Sequence, residues 1–182
     1  MDLNKYYDFA ENDYNLFVEI YKTGLVANLL GATAQGICEK YLKHLINEYY
    51  IPTSVVERAD KQDIMRTHSL NKLMRFTKQK LDLHLPDDVS SEMRGIDGFY
   101  FSTRYPGCDS VELDKSDIEH CYLAINGCRD EIIKFINMKE LCNENLSVDD
   151  RIAAANNDNN RNNVEENNNG ENEITHNDDG ER

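Results

Sequence analysis

Two side chains in this 182-residue sequence, His68 and Arg104, are of the types that handle phosphates. An imidazole shuttles a proton near neutral pH, and a guanidinium grips a phosphate through a paired hydrogen-bond fork. Together they suffice for acid–base cleavage of RNA, with histidine moving the proton and arginine stabilising the phosphorane. Arg66, Tyr105 and Lys115 complete the candidate ligand-binding set, adding two cations and a ring that stacks on a base. The same residues also have a purely structural reading. Arg104-Tyr105-Pro106 equally spells a turn, with Tyr105 packed on the end of the fold and Arg104 bridging Asp109 or Glu112. His68 equally caps a helix, and Asp109, Glu112, Asp114 and Asp117 crowd the region and repel a phosphate. The five cysteines form no CxxC pair, so neither a metal site nor a cofactor is expected.

These residues need a scaffold, and the composition points to one soluble domain. The chain is long enough for a single core and too short for two comfortable ones. From Val148 onward it has ten acids, three bases and eleven asparagines, and almost nothing to bury. The net charge of −14 therefore divides equally between residues 1–147 and the tail 148–182. Residues 1–147 are read as a helical bundle and 148–182 as a disordered acidic, Asn-rich tail, because its apolar content cannot offset chain entropy. An acidic domain is a poor generic binder of nucleic acid, and DNA is not expected as a partner. The N-terminus lacks a basic-then-apolar signal, and no apolar run is long enough to span a bilayer. The expected location is cytoplasmic, with no membrane contact and with reduced thiols.

Hydrophobic spacing gives an all-α, up-and-down bundle of four to five helices. The central one covers 33–50, where Ala34, Ile37, Cys38, Tyr41, Leu42, Leu45, Ile46 and Tyr49 recur at three- and four-residue steps. Gln35, Glu39, Lys40, Lys43, His44 and Asn47 fall on the opposite, solvent face. A first helix is expected over 13–28, with Gly31 making the turn into the central one. Ser54 and Glu57 have capping-box spacing and suggest one short turn within 51–67. A third helix opens near Thr67 and carries Lys72, Arg75, Lys78 and Lys80 on a solvated face. Residues 91–101 form a short or irregular helix. The last helix opens with a capping box from Ser116 to Glu119 and frays by Asn145.

Three local patterns resemble the HEPN family, named for higher eukaryotes and prokaryotes nucleotide-binding. They are Gln35 with Glu39-Lys40 and Leu42-Lys43; then Thr67-His68-Ser69-Leu70 with Leu73; then Tyr100 with Arg104-Tyr105-Pro106. The match covers roughly residues 10–138 and implies a compact, usually dimeric helical bundle. Many members are metal-independent RNases, often toxins, marked by an Arg and a His separated by four to six residues. No histidine here has an arginine at that spacing. The chain instead resembles the branch that accompanies minimal nucleotidyltransferases. The implied role is a non-catalytic accessory or partner module with nucleotide or RNA binding, beside a nucleotidyltransferase protein. An atypical RNase using His68 and Arg104 is the alternative, and a ligand-free scaffold for oligomerisation is the third reading.

Alternating helix directions place Tyr49, Tyr50, Arg66, His68, Arg104, Tyr105 and Lys115 at one pole, beside two helix N-termini that favour anions. The first two helices carry a surplus of aromatics (Tyr6, Tyr7, Phe9, Tyr14, Phe17, Tyr21 and, later, Tyr41, Tyr49 and Tyr50), more than so small a bundle encloses, and the excess is expected at the surface. There it would form a two-fold homodimer interface.

Overall fold

A computed structural model describes the backbone of residues 4–168 and the side chains of residues 4–142. Among the described residues all regular structure is helical: α1 (Tyr6–Lys22), α2 (Asn28–Tyr49), α3 (Val55–Arg66), α4 (Leu70–Leu81), α5 (Asp87–Gly95), α6 (Phe99–Ser102) and α7 (Lys115–Asn168). The chain divides into a compact unit, Met1–Ile136, and a second, Asn137–Arg182. In the second, the described backbone is helical as far as Asn168, past the expected fraying point at Asn145. The remainder of the acidic tail lies outside the described residues.

Helix α2 is the axis of the first unit. Ala34, Ile37, Cys38, Tyr41, Leu42, Leu45 and Ile46 are all completely buried, as their spacing requires. The face expected in solvent is buried too: Gln35, Glu39, Lys43 and His44 are each less than a tenth exposed. The reason is geometric, since α1, α4 and α6 pack around the middle of α2; of the same face, Lys40 is half-buried and Asn47, near the helix end, stays exposed as expected.

The pairings fix the directions. Lys40 Nζ lies 2.8 Å from Asp13, Tyr41 Oη 2.6 Å from Glu11, and Lys5 Nζ 3.4 Å from Glu48, so α1 runs antiparallel to α2. Arg129 holds Glu11 through Nε at 2.7 Å and Nη2 at 3.0 Å, and Tyr14 donates to Asn126 at 2.5 Å. Tyr21 donates to Glu119 and stacks on Tyr122. Within the first unit, residues 115–136 of α7 therefore run antiparallel to α1 and parallel to α2, which they also meet at Cys38–Ala124 and Tyr49–Phe135. Burial pushes the Glu11 carboxyl up, but the hydrogen bonds and charge of Arg129 together with the hydroxyls of Tyr41 and Tyr7 outweigh it and hold Glu11 below its ordinary value.

Several expected boundaries move. Helix α1 starts and ends earlier than expected, and the turn after it is made at Gly24, whose φ of +73° suits glycine. Gly31 is no turn but an interior residue of α2. A Cβ there would meet Leu113 Cδ1 at 2.6 Å, so its missing side chain admits the segment before α7. The expected turn in 51–67 is a full helix, α3, capped by Ser54, whose side chain accepts from Glu57 N. Glu57 reaches back to Thr53, which lowers its pKa to about 2. The box opening α7 is Asp114 with Asp117, bonded reciprocally at 2.9 and 3.0 Å. Two residues later, Ser116 and Glu119 are already inside the helix.

The aromatic surplus is mostly enclosed. Phe17, Tyr41 and Tyr50 are buried, and Tyr7, Tyr14, Tyr21 and Tyr49 pack against the core. Tyr6 and Phe9 stay exposed. All five cysteines are free; Cys38, Cys121 and Cys128 are buried, Cys108 and Cys142 exposed.

Candidate functional site

The three sequence patterns meet on one side of α2. Gln35 binds both loops that cross the helix there. Its Nε2 donates to His68 O at 2.6 Å, and its Oε1 accepts from Gly98 N at 3.1 Å and Tyr100 N at 2.7 Å. A single buried amide thus fixes the approach to α4 and the start of α6 together. One turn along, Glu39 Oε2 lies 3.0 Å from His68 Nδ1, and Glu39 Oε1 accepts from Lys43 Nζ at 2.7 Å. A carboxylate only accepts, so Nδ1 donates in this contact, and Nε2 takes no part in it.

Tyr100 joins the two residues read as chemically competent. The His68 ring stacks on Tyr100 with centroids 4.4 Å apart and planes 6° from parallel. Arg104 places its guanidinium carbon 4.7 Å from the centroid of the same ring. Phe101 stands edge-on to both aromatic rings. Such a ring and cation assembly is attractive because the π face is electron-rich. With Tyr100 covered in this way, the rings left to receive a base are Tyr105, 63% exposed, and Phe101, 58% exposed. Arg104 and Tyr105 also line an open recess of about 720 Å³ with Val26, Asn28, Thr103 and Val111.

The other expected members of the pole are dispersed. Tyr50 packs against Phe76 beneath Lys80, and Tyr49 against Phe135. Both lie at the far end of α2, ten residues beyond Glu39 or about 15 Å along a helix. The cause is α3: being a full helix, it carries the chain back along α2 before His68 is reached. Arg66 ends α3, exposed and two residues short of His68, and Lys115 is the exposed first residue of α7. Neither helix N-terminus is open to an anion. Asp97 already accepts from Leu70 N, Asn71 N and the Ser69 hydroxyl at the start of α4, as Asp114 and Asp117 do for α7. Arg104 lies on Tyr100 in place of the bridge to Asp109 or Glu112.

Sequence reasoning named His68 and Arg104 but missed Glu39 as the imidazole's partner and Tyr100 as the shared ring. Both stood within the patterns quoted above, and the signal was their joint occurrence in three separate segments. Among the described residues, no three His, Cys, Asp or Glu side chains are grouped to hold a metal ion. No helix among them is long and apolar enough to cross a membrane.

Fold and site together define an all-helical domain with a polar, aromatic-walled site built on its central helix. The HEPN domain family model matches residues 5–137, and the chain belongs to that family. Neither a search of curated proteins nor a search of solved structures returns a significant match.

Proposed function

We propose that this chain is a non-catalytic HEPN accessory module that holds a nucleotide or RNA segment at the His68–Tyr100–Arg104 assembly. The observation that carries the reading is that His68 and Arg104, from separate segments, pack on one ring. Arg104 supplies the phosphate contact, and exposed Tyr105 supplies the face for a base. Titration calorimetry with short oligoribonucleotides is the test. Arg104→Ala and Tyr105→Ala are each expected to weaken binding at least tenfold; absence of binding by wild type at millimolar ligand overturns the reading.

The module works in the cytosol beside a nucleotidyltransferase partner and as a homodimer. The apolar side chains that flank the site, Leu29, Phe101, Tyr105 and Val111, all exposed, support a self-association face there. Light scattering on a variant lacking residues 148–182 should give twice the monomer mass, and a monomer at tens of micromolar sinks the dimer. Co-purification of the native complex identifies the partner, and recovery without a nucleotidyltransferase counts against that association.

One contact favours the RNase alternative. Glu39 fixes the His68 ring and leaves Nε2 free to take a proton, as acid–base cleavage requires. Incubation with tRNA and total RNA decides it. Cleavage lost in His68→Ala and reduced in Glu39→Gln establishes the reaction; intact RNA, or undiminished cleavage by His68→Ala, removes it.

A further inference from the structure

On the other side of α4 a second recess collects positive charge. It lies where α4 meets α5 and the 82–86 connection; Arg75, Lys78 and Arg94 line it, with His84, whose Nε2 lies 2.9 Å from Asp82, over an apolar floor of Met74, Leu83 and Leu85. Asp87 is the one acid in its wall. Among the described residues Arg75, Lys78 and Arg94 make no ion pair. In a chain of net charge −14, with carboxylates abundant, three unpaired cations on one small cavity stand out as an unneutralised cluster. Lys78 and Arg94 occupy the last turns of α4 and α5. There the helix dipole favours a cation, which retains the charges without cancelling their mutual repulsion. An anion in the recess would relieve that repulsion.

Size and charge narrow the ligand. The cavity measures about 250 Å³, below the roughly 300–1,000 Å³ of sites that enclose a whole small molecule. Three permanent positive charges against one carboxylate match a chain of two or three phosphates better than a single anion. We propose that this α4–α5 recess binds the di- or triphosphate group of a small molecule, with the rest of that molecule left in solvent. Arg75 and Arg94 grip non-bridging oxygens through their forked donors, and Lys78 adds a point charge. The site is separate from the Tyr100 assembly and does not depend on it.

Titration calorimetry of the full-length protein with tripolyphosphate, pyrophosphate, sulfate and ATP tests this. Tripolyphosphate is expected to bind at least tenfold more tightly than sulfate, and more weakly as salt rises. Arg75→Ala and Arg94→Ala should each lower its affinity about tenfold, whereas Arg104→Ala should leave it unchanged. Asp87→Asn should tighten binding severalfold, a gain that a misfolded variant does not produce. With the Tyr100 site disabled by Arg104→Ala, ATP should bind within about threefold of tripolyphosphate, because the recess does not hold the nucleoside. The proposal is overturned by sulfate-like affinity for tripolyphosphate, by indifference to Arg75→Ala and Arg94→Ala together, or by tripolyphosphate binding that Arg104→Ala abolishes. The last result would move phosphate recognition to the Tyr100 site, so failure here is distinct from failure there.

Discussion

His44 and Lys43 adjoin on α2, and both are buried polar groups whose energetics can be measured. His44 has no hydrogen-bond partner for Nδ1 and lies between the rings of Tyr7 and Tyr49. Burial lowers its pKa below the usual 6.5; Glu48 and Asp8 oppose that shift, and Lys5 adds to it. The unfolded chain therefore takes up this proton more readily than the folded one. Stability from His44 is complete above about pH 6.5 and declines as pH falls through the lower folded-state value. In urea unfolding, His44→Phe should lose less stability than wild type between about pH 7 and pH 5. Equal losses would show that His44 does not titrate in that window. The carboxylates held low, Glu11, Glu48 and Glu57, act only below their ordinary value of 4.5, outside it. Lys43 is paired to Glu39 with only 6% of its side chain exposed. Lys43→Ala should cost about 3 kcal/mol, the low end for breaking a buried pair, because Glu39 keeps His68. Lys22→Ala, which removes an exposed pair with Glu19, should leave the same melts nearly unchanged.

At the scale of elements, the two glycines of α2 that look equivalent in sequence should respond oppositely to alanine. A Cβ at Gly36 would meet only Lys40 Nζ, at 3.5 Å. Gly36→Ala is therefore expected to stabilise by about 0.5–1 kcal/mol through helix propensity. At Gly31 the added carbon would press on Leu113, Phe99 and Thr103 at 2.6, 3.0 and 3.2 Å. Overpacking of about 1–3 kcal/mol exceeds the propensity gain, so Gly31→Ala should destabilise by about 1 kcal/mol. Thermal unfolding of both variants checks the sign. The same pair explains what was legible in the chain. The heptad-like spacing of Ile37 to Ile46 specified α2 and its core face without help. Its first turns were misread because a glycine that admits a neighbour has the same sequence as one that makes a turn. Helix α3 reads as a single turn because its apolar face is thin: none of its residues is fully buried, Val55 and Val56 are exposed, and only Ile64 and Met65 at its end pack on the core. That omission misplaced Tyr49 and Tyr50, since the direction of every later element depends on how many helices precede it. His68 and Arg104 were legible from chemistry alone. Their meeting on Tyr100 depends on Gln35 holding two loops, a long-range bond that local periodicity does not encode.

For the whole molecule, the first compact unit closes at Ile136, and the family model ends one residue later. Residues 148–182 carry half of the net charge and almost no apolar surface. Their deletion should leave the melting temperature of the first unit within about 2 °C, since little buried area is lost. A larger fall would mean that the tail docks. The separation of the thiols into two exposed and three buried has a kinetic consequence. Burial pushes Cys121 up to about 12 and raises Cys38 as well, so these sulfurs are poor nucleophiles while the bundle is closed. A maleimide or aromatic disulfide should modify Cys108 and Cys142 at once, and then Cys38, Cys121 and Cys128 only at the rate at which α2 and α7 part. The native chain thus contains its own clock for core opening, read as three late mass increments with no introduced label.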